Sequence, residues 1–203
     1  MTPNPAIASA DDDKQPAKNF MDRVLAPPAY GWKDQENQLI IPTSYQLFKE
    51  FFFRLNIFRD KRNWLTFFSW ARLFVLVSCL FIFLFRYFNV YLLIVAFLYS
   101  MIVMGTHGTI WYHRYCTHGA YTFSNKFWRF ITRNLTINIV PEETYVVSHH
   151  VHHAKSDEPG DPYNAQAGFL YCFLADVNHQ PIALDLTESE YARVRKLMDH
   201  TGV

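Results

Sequence analysis

Seven of the nine histidines in this 203-residue chain lie between His107 and His153, and five of them match a metal-ligand pattern. His113-Arg-Tyr-Cys-Thr-His118 is one box, and His149-His150-Val-His152-His153 is the other. Neutral imidazole is the usual ligand for iron, copper and zinc near neutral pH. A lone histidine is most often a hydrogen-bonded structural residue, but four within five positions are not explained that way. On a helix, His149, His152 and His153 share an arc of roughly 100°, and so do His149, His150 and His153. Spacing therefore leaves open which of His150 and His152 turns away. The first box poses a different problem. Residues five apart on an ideal α-helix point about 140° apart, so His113 and His118 can share an ion only if the helix loosens or ends between them. Cys116 reads as a spacer. His107 is either a ligand or the partner of one, and His179 and His200 stand apart as structural or surface residues.

The elements that must position these boxes are apolar. Leu73 to Phe85 carries no charge, and extending it back to Trp64 gives about one bilayer thickness. Val90 to Thr106 is also uncharged. The pattern predicts transmembrane helices at about 65–86 and 90–107, joined by a tight connection at Arg86–Asn89 as an antiparallel hairpin. The alternative, one bent core helix, would put more than 30 nearly uncharged residues inside a small soluble domain. Lys49, Arg54, Arg59, Lys61, Arg62 and Arg72 precede the hairpin, and Arg114, Lys126, Arg129 and Arg133 follow it; the turn has Arg86 alone. The positive-inside rule then puts both ends, and the histidine boxes, on the cytoplasmic side of a multi-pass integral membrane protein.

Around this hairpin the sequence predicts helices. The aromatic run Tyr45 to Phe58 reads as interfacial, and residues 125–140 as a helix lying on the cytoplasmic face. Pro141, Glu142 and Glu143 open the helix that carries the second box. Ala167 to Leu174 reads as a short interfacial stretch. Thr187-Glu-Ser-Glu190 forms a capping box for a last polar helix. Residues 1–37 have no signal-peptide core and read as a disordered tail. The net charge of +1 gives no electrostatic case for nucleic acid, and the unpaired Cys79, Cys116 and Cys172 read as reduced thiols. The fold class expected is all-α integral membrane, a helical hairpin with cytosolic helices carrying the boxes.

The two boxes, with Ala-Lys-Ser-Asp157 and Asp161-Pro162-Tyr163-Asn164 after the second, resemble the membrane fatty acid desaturases over roughly residues 60–203. The similarity is closest to the acyl-CoA, delta-9-like branch. It implies iron, two ions in the family, with His113, His118, His149, His152 and His153 as ligands; His150 stands where the family commonly has an arginine. It implies O₂-dependent desaturation of a long-chain acyl-CoA or acyl lipid, with electrons from cytochrome b5 or a ferredoxin-type protein. Removing hydrogen from an unactivated methylene needs a metal–oxygen species that no side chain supplies. Asp157 and Asp161 either orient ligand histidines or stay solvated, and Asn164 is a candidate for positioning the headgroup. The family also has a second hairpin and a third box, His-x-x-His-His, and this sequence has neither. Residues 38–203 are therefore expected to be a partial desaturase domain with a half-built site, from a fragment or a truncated product with little activity of its own. A membrane hydroxylase of alkanes or lipids, and an inactive metal-binding membrane protein, remain the alternatives.

Overall fold

The computed structural model describes residues 20–135, 140–175 and 182–201. Among them the chain is helical and holds no strand, only two isolated bridges, Leu25 with Ile182 and Lys33 with Leu39. Helix α1 spans Ser44–Leu55. Thr43 and Gln46 form its capping box, each side chain satisfying the other residue's backbone N–H. Leu47, Glu50, Phe51 and Arg54 recur at helical spacing and are buried, while Tyr45, Phe48 and Phe52 face outward. Asn63 donates to the carbonyls of Phe53 and Asn56 at 3.1 and 2.8 Å, so the first residue of the next helix finishes the end of α1.

Helix α2 is Asn63–Arg86 and α3 is Val90–Val103, with the Asn89 side chain accepting from Tyr91 and Leu92 to start α3. Without a break the chain continues as a π-helix, π1, over Met104–Thr117. Both Asn63–Arg86 and Val90–Thr117 are long and apolar enough to cross a membrane, and only 6 % of the most apolar window of each is buried. A soluble core helix would be mostly covered, so this exposed apolar surface needs a non-aqueous surrounding. Ser69 and Ser78 return their hydroxyls to carbonyls four residues back, which leaves no polar group unpaired on α2 at those points. The two apolar helices are connected through Tyr87–Asn89 but do not pack against each other along their length.

The box-bearing part is built from π1, α4 (Lys126–Arg133), α5 (Glu142–Lys155), the short α6 (Phe169–Phe173) and α7 (Glu188–Leu197). The expected capping box at Thr187 and Glu190 starts α7. Helix α5 packs on two sides. Val146 meets Trp111, Tyr112, Tyr115 and Cys116 of π1, while Val147 and Val151 meet Phe20, Val24, Leu25 and residues 183–194. This last cluster corrects the expectation of a disordered tail over 1–37. Residues 20–37 are placed, with Val24 fully buried, because Phe20, Val24 and Leu25 cover the back of α5 and Asp22 pairs with Lys155 near its end. Residues 1–19 lie outside the described residues.

Candidate metal centre

The first box meets its geometric requirement by loosening. Its sequence is preceded by Gly105, Thr106, Gly108 and Thr109, residue types that hold an α-helix weakly. Here the backbone takes the wider π winding, whose hydrogen bonds run to the residue five positions on. The His118 N–H donates to the His113 carbonyl at 3.2 Å, and the Thr117 hydroxyl to the Tyr112 carbonyl at 2.9 Å. That winding brings residues five apart nearly into line. The His113 and His118 rings stand 4.8 Å apart, centre to centre.

The second box supplies the other half. His149 and His153, one turn apart on α5, have Nε2 atoms separated by 3.1 Å. Two ligands of one ion at about 2.1 Å stand about 3–4 Å apart. The four potential donor atoms of His113, His118, His149 and His153 all lie within 4.8 Å of one another. Among the described residues this is the group of three or more metal-ligating side chains so arranged.

A buried joint holds the two halves in register. Glu142, the first residue of α5, accepts from the Trp111 indole of π1 at 3.0 Å and from Arg133 of α4 at 2.9 Å. Beside it the Tyr112 hydroxyl donates to the Val140 carbonyl, and the Tyr112 and Tyr145 rings meet at 5.0 Å. Tyr145 in turn stacks on His149 at 5.2 Å. Electrostatics keep these imidazoles ready to ligate. Burial, reinforced by His113, His153, His118 and His152, pushes His149 down to about 3. Burial and then His113 and His153 also lower His118. A ring that stays neutral at pH 7 keeps its lone pair for a metal.

The remaining candidates sort by what they touch. His152 lies beside the four, with its ring 6.1 Å from His149 and 5.9 Å from His153. Its Nδ1 is held by fully buried Asp161 at 2.8 Å, which leaves Nε2 free. Of the two acids weighed for orienting a histidine, Asp161 is the one that touches a box histidine, His152; the Asp157 backbone N–H donates to Asp161 from a left-handed turn. Asn164 is fully buried and bonds within its own loop, to Gln166 and Glu158, which removes it from headgroup contact. His150 turns toward the Thr117 carbonyl and a shallow cleft shared with His118 and His200. His107 bonds the Thr132 carbonyl through Nδ1. Cys116 is buried and donates to the His200 carbonyl, as a spacer would. His200 itself packs over Gly119, where an added Cβ would sit 2.6 Å from its Nε2. His179 lies outside the described residues. The roles of Glu142 and Tyr145 were not read from the sequence, because a buried acid at a helix start looks the same there as a solvated one.

The fatty acid desaturase family model matches residues 92–186, a stretch that contains both boxes, and so supports that family of oxidoreductases. No curated protein and no solved structure matches the chain.

Proposed function

We propose that this chain carries the metal-bearing part of a membrane fatty acid desaturase, of the acyl-CoA delta-9-like branch, acting on a long-chain acyl substrate with O₂. The observation that carries the reading is the convergence of His113 and His118 from π1 with His149 and His153 from α5. Four imidazoles suit iron. His152, with its tautomer set by Asp161, is the expected fifth ligand. Iron, when bound, supplies the O₂ chemistry that takes hydrogen from an unactivated methylene. The chain's own residues do the rest. Tyr145 and the apolar wall of π1 keep His149 desolvated and neutral, and Glu142 fixes the two ligand-bearing helices against each other.

A cavity of about 450 Å³ lies between the start of α2 and α5. Trp64, Leu65 and Phe68 line the side toward the apolar helix, Thr144, Val147 and Ser148 the side toward the second box, and Lys61 and Arg62 its polar rim. Such a lining suits an acyl chain that leaves an anionic carrier in water. The boxes are assigned to the cytoplasmic face, where cytochrome b5 or a ferredoxin-type protein would deliver electrons. Acyl-chain analysis of O₂-supplied membranes from cells expressing the protein tests this. New double bonds that disappear with His149→Ala are expected; hydroxylated chains, or an unchanged acyl profile, would overturn it.

A further inference from the structure

Helix α4 is amphipathic, and two of its basic side chains are held by the protein rather than turned to headgroups or water. Arg129 donates to the Thr201 carbonyl at 3.0 Å and lies over Tyr115, and Arg133 pairs with buried Glu142. Outward go Phe127, Trp128 and Phe130, each more than half exposed, with Ile131 beside them.

Contacts along the segment give its direction. Arg129 meets Tyr115, the Thr132 carbonyl meets His107, and the Leu135 carbonyl accepts from the Tyr99 hydroxyl at 2.8 Å. By Val140, which accepts from Tyr112, the chain is back near its starting level. From Arg129 to Leu135 the segment runs beside the second apolar helix. Tyr99 lies seven residues before Thr106, the end of the uncharged run. At 1.5 Å per residue that is a depth of about 10 Å.

Two carbonyls at and just past the end of α4 find partners inside the protein. The last carbonyls of a helix lack partners within it, and water would supply them freely, whereas hydrocarbon would not. Here the Thr132 carbonyl in the last turn and the Leu135 carbonyl just beyond the helix are met by the side chains of His107 and Tyr99. We infer that α4 and the residues to Leu135 form a re-entrant leg, sunk into the acyl region of the leaflet on the histidine-box side, with Phe127, Trp128 and Phe130 against lipid. The inference rests on the membrane reading of α2 and α3. It goes beyond that reading by adding a third embedded element, in direct contact with the helix that carries the first box.

The test places p-benzoylphenylalanine at Phe130, at Leu93 on α3 and at Ala192 on exposed α7, in the full chain reconstituted into phosphatidylcholine vesicles. After irradiation, adducts are identified by mass spectrometry. The leg predicts acyl-chain adducts at Phe130 within about twofold of those at Leu93, with Ala192 giving none, because both lie at hydrocarbon depth. Phe127 serves as a second position if the Phe130 substitution prevents insertion. Lipid adducts at Leu93 alone, or adducts at Phe130 and Phe127 to a second copy of the chain, would overturn the leg and leave the spanning helices standing. Absence of lipid adducts at Leu93 as well would overturn the membrane reading itself.

Discussion

A histidine ligates a metal only through a neutral ring nitrogen, so the protonation of His149 governs the site. Burial holds its folded pKa at about 3, far below the ordinary 6.5 of the unfolded chain. The unfolded state therefore binds the extra proton first. Its contribution to stability is complete above about pH 6.5 and is lost progressively as pH falls toward 3. His118 and His150 are shifted in the same direction. The metal-free protein should lose thermal stability steadily from pH 7 to pH 5 in detergent, and His149→Asn should flatten that slope. An unchanged slope in the variant would remove the burial argument. Asp161 offers a second test at this scale. Asp161→Asn loses the charge that fixes the His152 tautomer, and outer partners of this kind are worth about 10–100-fold in metal affinity. Unchanged affinity, measured by competition with a chelator, would show that His152 does not ligate. The sequence left His150 and His152 equivalent on a helical wheel. The resemblance favoured His152, and in the structure buried Asp161, nine residues away, holds His152 while His150 turns toward the Thr117 carbonyl.

Glu142 is where three elements meet, since it ties α5 to π1 through Trp111 and to α4 through Arg133. Removing it strands the buried indole N–H and one arginine. Glu142→Ala should cost about 1–3 kcal/mol of stability and lower metal retention together with it. Denaturation in detergent, with metal content measured on the same samples, checks both, and full metal retention would show that the joint does not position the site. At this scale the sequence was partly legible. Hydropathy located α2 and α3, the Thr187–Glu190 pair located α7, and Pro141 with two glutamates located the start of α5. The five-residue spacing of His113 and His118 signalled that an ideal α-helix would not serve. It did not indicate that a π-helix spanning Met104–Thr117 would solve the problem, since that winding draws on packing against α5 as well as on local propensity.

For the whole molecule, the charge asymmetry predicts an orientation. A tag inserted near Ala192 on exposed α7 should be accessible from the cytoplasm and one in the Tyr87–Asn89 turn should not; reversed accessibility would contradict the two-span arrangement. Composition alone could not show that residues 20–25 belong to the folded unit. Their few apolar side chains sit in a polar neighbourhood and count only once α5 and α7 offer a surface for them. Two distant segments of sequence, held together by the helical scaffold, would make one metal centre. Iron bound per chain after anaerobic loading and desalting, measured for the parent protein and for His118→Ala, His149→Ala and His107→Ala, tests that most directly. The account predicts that losing a ligand from either box, His118 or His149, strips most of the iron while His107→Ala retains it. Equal iron in all four proteins would contradict it.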